Sequence, residues 1–596
     1  MFLRRKNRLG ADQPSHEGVH QSLSLGFSAP QVQNQVYENP FPETAASNCR
    51  ATKLFDLYKK NVESGSLFSD EFKKVENQSK NNQRTRDVSQ LPQNAVRNRY
   101  KNIFPYDHAR VVLQGSGEND YINAAYIPGY DNERKFIATQ GPKKETINDF
   151  WLMVWQENSN IIVMLTGLRE NGKSKCEQYW PDVESQRELS PVLTVRTQRE
   201  ITIGGILQRQ LVLFTNREQR TITQLQFTTW PDHGIPVTTS NMIHLRNMVD
   251  DLQNTNAPII VHCSAGVGRT GTYIAMDTLF HELDDKGTVD VPRTVLRMRE
   301  NRKDMIQNVK QYMYVYKLLM ERESLEETDK DVTELQSMTS SEIKKMQDKE
   351  FNTLSSWRFG EEWQENHPQL RTYKNTSVKV NNNKNKSIQQ LDASYIQEHG
   401  SSDCLVAARN PGPGEKENFW KMIVDRGASL VVDLDNSIQI LINTAIQYED
   451  ISVSVRDVNE SNVHSLITVN VWSTTNAFAA QQVMLMQVKG WNDVEQPPKE
   501  MDLIKIIEEM QRQKSKQNCK CVLVGCSNGS TRTGTFIALV SILERLKALK
   551  RVDVFRTVKD LRDMRPNMVD NKELYRYCYS VVMQYLSDFD TYSNFK

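Results

Sequence analysis

The chain has 596 residues, with Lys+Arg at 75 and Asp+Glu at 74. The net charge of +1 excludes a polyanion-binding surface spread over the whole molecule, and with it nucleic acid as a partner, while allowing a local basic pocket. Hydrophobic residues at 38% and charged residues at 25% are enough to fill large cores, and eight sparsely spaced cysteines suit a reducing compartment rather than a disulfide framework.

Residues 1–47 are rich in Gln, Asn, Ser, Pro and Gly and read as a disordered arm ending near residue 50. Tyr37, in QVYENP, is a candidate phosphosite, although an inert linker accounts for it better. The basic start MFLRRKNR is followed by no apolar run of a signal peptide, and no stretch nears the ~18 apolar residues of a membrane span. The expectation is a cytoplasmic chain, or the intracellular part of a plasma-membrane receptor if a receptor segment lies upstream.

From residue 51 the pattern is globular. FDLYKKNVESGSLFSDEFKKV (55–75) has helical periodicity, and ETINDFWLMVWQE (145–157) and TYIAMDTLFHELDD (272–285) read as amphipathic helices. IIVML (161–165) and PIIVHC (258–263) read as buried strands, so the class is α/β. The charged stretch ERESLEETDKD (321–331) closes this half. The pattern then repeats. FWLMVWQENSNIIVML (150–165) is echoed by FWKMIVDRGASLVVDL (419–434), CSAGVGRTGTYIA (263–275) by CSNGSTRTGTFIA (526–538), and MIQNVKQYMYVYKLLM (305–320) by MVDNKELYRYCYSVVM (568–583). The last two pairs share an offset of 263 residues, which marks two copies of one domain. The organisation expected is an arm (1–50), a first domain (51–325), a linker (326–345) and a second domain (346–596).

VHCSAGVGRTGT (261–272) runs from a strand through a Gly-rich loop into a helix. A cysteine five residues before an arginine is weak evidence alone, and the loop is what gives it meaning. Gly266 and Gly268 admit backbone conformations closed to other residues, so the N–H groups of Ser264, Ala265, Gly266, Val267 and Gly268 can converge on one point. The helix N-terminus adds positive potential there, and Arg269 offers a planar fork to two oxygens. Such a nest suits a tetrahedral dianion, namely phosphate. The same field favours thiolate at Cys263, and His262 beside it is placed to hold the loop. A thiolate beneath a phosphoryl group is a nucleophile aligned for in-line attack. Asp232, in WPDHG (230–234), offers a carboxylic acid on a loop able to close over the site, though taken alone it reads better as a turn residue or a helix cap.

These motifs, with RNRYKNIFPYDHARV (97–111), YINAAYI (121–127), FIATQGP (136–142), KCEQYWP (175–181), TTWPDHGIP (228–236) and DMIQNVKQY (304–312), occur in an order that resembles the protein tyrosine phosphatase family, specifically the tandem intracellular domains of receptor-type members. The resemblance implies two tandem phosphatase domains, each a twisted mixed sheet flanked by helices, that act on phosphotyrosine in proteins. It implies a phosphocysteine on Cys263, Arg269 clamping the phosphoryl oxygens, and Asp232 as general acid and then base. Gln307 would position the hydrolytic water with Gln311 assisting, Thr270 would hydrogen-bond the departing thiolate, and Glu170, with Lys175 in its loop, would orient Arg269. Tyr100 would wall a cleft deep enough to exclude phosphoserine. Asn102 stands where many members carry the Asp that grips the substrate backbone, which touches peptide affinity rather than chemistry. The helical segment near 52–76 corresponds to a wedge of receptor members and suggests self-association. No cofactor and no metal are expected: the ten histidines lack ligand spacing, and Cys519 and Cys521 have no second pair.

The second copy keeps Cys526 and Arg532, and WNDVEQPP (491–498) keeps Asp493 without the flanking Pro and Gly. His262 becomes Gly525, Gln307 becomes Asp570 and Gln311 becomes Leu574. The second copy is therefore expected to be catalytically weak or silent and to serve regulation or docking. The rivals to a tyrosine phosphatase are a phosphotyrosine-binding module and a dual-specificity or lipid phosphatase. Intact Asp232, Gln307 and His262 argue against the first, and the RNRY segment against the second.

Overall fold

The computed structural model describes residues 49–593 apart from 51–52, 81–82, 115–118, 204, 229, 231–233, 326–327, 357–371, 374–375, 383–386, 397–403, 441–444, 475–478, 492 and 494–495. Tyr37 and most of the N-terminal arm lie outside the described residues, as does Asp232.

Nine strands build the first sheet: β1 (Arg110–Val112), β2 (Tyr121–Ile127), β3 (Phe136–Thr139), β4 (Ile161–Met164), β5 (Gln186–Ser190), β6 (Leu193–Ile203), β7 (Ile206–Phe214), β8 (Gln219–Phe227) and β9 (Ile259–His262). Their spatial order is β1-β2-β3-β9-β4-β8-β7-β6-β5. The central strands β3, β9, β4 and β8 pair in parallel, and both flanks are antiparallel. β4 (IIVM) and β9 (IIVH) are buried along their whole length, as continuous apolar runs must be when both faces of a parallel sheet are covered. β6 instead buries alternate residues Leu193, Val195 and Thr197, the period of a strand with one wet face.

The second sheet repeats this plan. Its strands are β10 (Ser377–Asn382), β11 (Ser387–Ile396), β12 (Cys404–Arg409), β13 (Leu430–Asp433), β14 (Ile446–Gln447), β15 (Ile451–Glu460), β16 (His464–Ser473), β17 (Gln481–Val488) and β18 (Cys521–Cys526), in the order β10-β11-β12-β18-β13-β17-β16-β15-β14. Each strand occupies the place of the one nine earlier. Two mixed sheets flanked by helices are the α/β architecture expected from the repeat.

The helices repeat as well. Leu54–Ser64 and Leu67–Lys80 cover the first domain, where Phe68 stacks on Tyr316 with ring centroids 3.9 Å apart. Buried Glu71 accepts hydrogen bonds from Tyr312 (2.6 Å) and Tyr316 (2.7 Å). In the second domain Glu350, on helix Ser340–Ser356, accepts equally from Tyr575 (2.6 Å) and Tyr579 (2.7 Å). Lys330–Asp331 pairs with Arg551–Val552 just as Cys49–Arg50 pairs with Thr288–Val289. The stretch read as a linker thus carries elements of the second repeat. Its charge density hid them, because these elements bury few apolar side chains.

A buried charge cluster joins the two domains. Lys559, fully buried, donates to Glu321 (2.5 Å) and Asp560 (3.0 Å) and pairs with Asp563 (3.1 Å). Lys317 donates to Asp563 (2.9 Å) and to the carbonyl of Val237 (2.9 Å), and the Thr239 hydroxyl donates to Glu321. Second-domain Lys559 and Asp563 therefore contact Glu321 and Lys317, which in turn meet the Thr239 hydroxyl and the Val237 carbonyl just beyond the segment that carries Asp232.

Candidate active site

Strand β9 ends at His262, and the chain turns through Cys263–Val267 before helix Gly268–Lys286 begins. The turn closes tightly at Gly266 (φ 72°), where a Cβ would sit 2.2 Å from the carbonyl oxygen of Thr139, so only glycine fits. The Gly266 N–H points at Cys263 Sγ (3.2 Å). Cys263 is only 5% exposed and lies at the floor of the loop. Thr270 Oγ1 is buried without a well-angled partner, yet it and its own N–H lie close enough to the sulfur to favour the anion. Burial pushes the Cys263 thiol up, but the Thr270 side chain and N–H, the Arg269 charge and the Gly266 N–H outweigh it, and the pKa falls below the ordinary thiol value.

Arg269, in the first turn of the helix, meets Glu170 in a two-pronged pair, Nη1 to Oε1 at 2.6 Å and Nη2 to Oε2 at 2.8 Å, and also donates to the Leu165 carbonyl (3.1 Å). A short hairpin presents that carboxylate. Arg169–Glu170 pairs with Lys173–Ser174 across Asn171 (φ 48°) and Gly172 (φ 76°), the Asn-Gly chemistry that a two-residue turn with both central φ positive requires. Burial raises the Glu170 pKa, but the hydrogen bonds and charge of Arg269 dominate and hold it below the usual carboxylate value. Lys175 Nζ stands 3.7 Å from Glu170 Oε2.

His262 is fully buried, and burial lowers its pKa to about 4, so the ring is neutral at physiological pH. Its Nδ1 faces the Cys263 carbonyl (3.2 Å), an acceptor only, so Nδ1 carries the proton and Nε2 accepts from Tyr179 (2.8 Å). Gln224 in turn donates to the Tyr179 hydroxyl (2.5 Å). His262 thereby links the Cys263 carbonyl to Tyr179 beneath the loop.

Tyr100 is half-buried, and its hydroxyl lies 2.8 Å from Ser264 Oγ, which donates to the Lys175 carbonyl (2.9 Å). Arg99 locks that turn by donating to the carbonyls of Gly141 (3.0 Å) and Pro142 (2.7 Å). Asn102 is exposed. Gln307 and Gln311 arrive from the far side of the loop: a Cβ at Gly268 would lie 3.3 Å from Gln307 Oε1 and 2.8 Å from Gln311 Nε2. Gln311 Oε1 also accepts from the Gln307 N–H (2.8 Å). Ile306 before them has φ 57°, strained for a β-branched residue, and its N–H donates to the Val267 carbonyl (3.1 Å). Ser264, Ala265, Val267 and Gly268 complete the loop. Trp230, 3% exposed, donates to the Gly234 carbonyl (2.9 Å) and lies 5.9 Å from the Arg269 guanidinium.

Arg302 was not singled out from the sequence. Fully buried, it donates to the carbonyls of Gly266 (2.8 Å) and Ala265 (3.1 Å) and to Asn123 (2.8 Å), which turns the loop's N–H groups toward the sulfur side. Its signal was the repeat itself: Arg565 stands at the same 263-residue offset and donates to the Gly529 carbonyl (2.6 Å). Asp435 was missed too. It is the aligned counterpart of Thr166, two residues past the equivalent strands β4 and β13.

In the second domain Cys526 is fully buried and accepts from the Thr533 hydroxyl (3.1 Å), and Arg532 donates to Asp435 (3.0 Å). Asp493 is exposed. Asp570 accepts from the Thr531 hydroxyl (2.9 Å), and Leu574 is buried.

Comparison with known proteins agrees with this geometry. A family model described as protein-tyrosine phosphatase matches residues 94–321 and 363–584. The chain is 35% identical over 564 residues to human receptor-type tyrosine-protein phosphatase alpha, covering 86% of this chain and 68% of that protein. It is 35% identical to mouse receptor-type tyrosine-protein phosphatase epsilon (83% of this chain, 76% of that protein). Against mouse receptor-type tyrosine-protein phosphatase C the identity is 30%, over 82% of this chain and 42% of that protein.

Proposed function

The chain belongs to the protein-tyrosine phosphatase family, and on that premise we propose that its first domain removes phosphate from phosphotyrosine in proteins through a covalent phosphocysteine, while the second domain is catalytically weak or silent and regulatory. The observation that carries this reading is the meeting, at one point, of a Cys263 thiol with lowered pKa, the Gly266 N–H and a guanidinium held square by Glu170.

In the first step Cys263 Sγ attacks phosphorus in line, the S–P bond forms, and the P–O bond to the tyrosine ring breaks. Asp232 gives its proton to the leaving phenolic oxygen. The loop N–H groups and Arg269 bind the three equatorial oxygens, where charge is greatest in the transition state. In the second step Asp232, now a carboxylate, takes a proton from a water held by Gln307 with Gln311. A new P–O bond forms, the S–P bond breaks, and Thr270 and the Gly266 N–H receive the thiolate. Tyr100 sets the depth of the cleft, which only an aryl phosphate spans. Asn102 would hold the substrate backbone less firmly than a carboxylate.

Catalysis on the cytoplasmic face of a receptor is proposed from the receptor-type relatives. Among the described residues no helix is long and apolar enough to cross a membrane. Self-association through the helices Leu54–Ser64 and Leu67–Lys80 is likewise proposed.

The test is a rapid acid quench of the tandem chain turning over a radiolabelled tyrosine phosphopeptide, followed by peptide mapping. Label is expected on the Cys263 peptide and absent from Cys263→Ser, with phosphothreonine and inositide substrates turned over poorly. Turnover without any thiol-bound phosphorus would reject the mechanism.

A further inference from the structure

The two nests share a backbone plan but differ in what fills them. In the first, positions 166 and 265 are Thr and Ala, and the Thr166 hydroxyl turns away to Glu170 (2.9 Å). In the second, the corresponding residues are Asp435 and Asn528, and both side chains turn into the loop. Asp435 Oδ2 accepts the Ser527 N–H (2.7 Å) and one arm of Arg532 (3.0 Å), with both side chains of that ion pair almost fully buried. Asn528 Oδ1 accepts the N–H groups of Ser530 (3.0 Å) and Thr531 (3.1 Å), and Asn528 Nδ2 donates to Thr531 Oγ1 (2.7 Å). The Gly529 N–H bonds the Cys526 carbonyl (3.1 Å), whereas its counterpart at Gly266 points at sulfur.

Cys526 is affected in the same way. Its sulfur lies 3.2 Å from Asn528 Oδ1. That oxygen is fixed as the acceptor by two backbone donors, and the Cys526 thiol donates to it.

Neighbouring residues hold Asp435 in place. Asn410 donates to Asp433 (2.7 Å), Asp435 (3.2 Å) and Ser437 (2.8 Å). Asn410 has room because residue 525 is glycine: a Cβ there would lie 2.1 Å from Asn410 Oδ1. Gln487 donates to Asp433 (3.2 Å), which also accepts the N–H groups of Ser437 (3.2 Å) and Ile438 (2.8 Å). The loss of His262 and the gain of Asp435 are thus one connected rearrangement.

We propose that the second nest is internally ligated: the Asp435 carboxylate and the Asn528 amide take the loop N–H groups and the arginine that would otherwise bind the oxygens of a tetrahedral dianion. The domain then holds no phosphate monoester at this site, and any docking or regulatory role uses other surfaces. This rests on the reading of the second domain as silent and goes further, from absence of turnover to absence of binding. A tethered carboxylate competes at high effective concentration. The charges of Asp433, Asp435 and Asp570 oppose a second anion.

The experiment uses the full chain carrying Arg269→Met, so that the first nest binds no oxyanion, and titrates it with sodium tungstate by isothermal calorimetry. No binding is expected at millimolar tungstate. Adding Asp435→Thr and Asn528→Ala, the first domain's own residues, is expected to create a site of 1:1 stoichiometry with at least tenfold tighter apparent affinity. Asn528→Ala alone gives the same comparison at smaller amplitude if the double variant is unstable. Binding by the native second nest overturns the proposal, as does a folded, opened variant that binds nothing. Neither result bears on whether Cys263 carries phosphate during turnover, so the two readings fail separately.

Discussion

Lys559→Met probes the charge cluster between the domains. Methionine keeps the length and apolar stem of lysine, so the substitution removes the ammonium with little change in packing. Lys559 is fully buried and contacts Glu321, Asp560 and Asp563, while Lys317 is the other cation in the cluster. The variant leaves three carboxylates facing one ammonium. Breaking one side of a buried ion pair costs roughly 3–5 kcal/mol, because the orphaned charge stays out of water. For a domain of this size that lowers the thermal midpoint by on the order of 10 °C in differential scanning calorimetry, at about 2–4 °C per kcal/mol. The pH dependence gives a second handle. Burial lowers the Lys559 pKa, but Asp563, Glu321 and Asp560 outweigh it and hold it well above the ordinary lysine value. Its stabilisation is therefore complete below pH ~10.5 and is lost only as pH rises through the folded value, so Lys559 itself contributes no slope between pH 5 and 8. In the variant an orphaned carboxylate holds a proton more tightly when folded, so the destabilisation should be larger at pH 8 than at pH 5. Glu321 and Lys317 also hold Thr239 and Val237, so first-domain kcat should fall although the substitution lies in the second domain. A midpoint shift under ~2 °C at pH 8 with unchanged kcat would refute the reasoning.

Iodoacetate should inactivate the first domain with a rate that reaches half its maximum below pH ~8.5, the ordinary thiol value, because Cys263 is lowered, and tungstate should protect it; a profile at or above that value would contradict the site geometry. Arg302→Met removes the donors to Gly266 and Ala265 and should lower kcat/KM by at least about 10²-fold, since hydrogen bonds to charged groups contribute roughly 1.5–3 kcal/mol each; steady-state kinetics on an aryl phosphate decides it. Burial raises the Glu350 carboxyl to about 7 against the hydrogen bonds of Tyr575 and Tyr579. The folded chain therefore binds the extra proton, and this group's contribution to stability declines as pH climbs from ~4.3 to about 7. Glu350→Gln should thus gain stability relative to the native chain across that window in urea unfolding, and a pH-independent difference would count against it.

The parts of the site that are contiguous in sequence were legible. A cysteine, glycines at set places and an arginine in one loop state their purpose together, because backbone N–H groups converge only when the chain can turn through Gly266. The continuous apolar runs of β4 and β9 likewise announced buried strands, and both are buried along their length. Groups that act at a distance were not legible. Arg302 is one arginine in RENRKDM, and nothing local says that it is buried beneath Ala265 and Gly266. The Gln224–Tyr179–His262 relay joins three strands or loops whose adjacency only the sheet order supplies. Lys559 looks like any surface lysine until the other domain covers it.

The second domain's sequence was read as a list of losses, in His262, Gln307 and the proline and glycine of the lid. The structure recasts several of these as replacements. A nest left empty would carry buried N–H groups and a buried guanidinium with nothing to satisfy them, each at a cost of roughly 1–3 kcal/mol or more. On the proposed reading of the second domain as silent, no passing phosphate meets that cost. Asp435 and Asn528 satisfy the groups permanently, and Gly525 and Asn410 make the space and hold the geometry. The Arg–carboxylate pairing survives in both domains but changes its purpose. In the first, Glu170 grips Arg269 from the side, leaving the loop N–H groups for substrate. In the second, Asp435 joins Arg532 to the loop N–H of Ser527, and the carboxylate itself becomes the ligand. The proposed silence of the second domain is on this argument a stabilised state of the fold, and restoring a single residue by Asp570→Gln is expected to leave the nest closed.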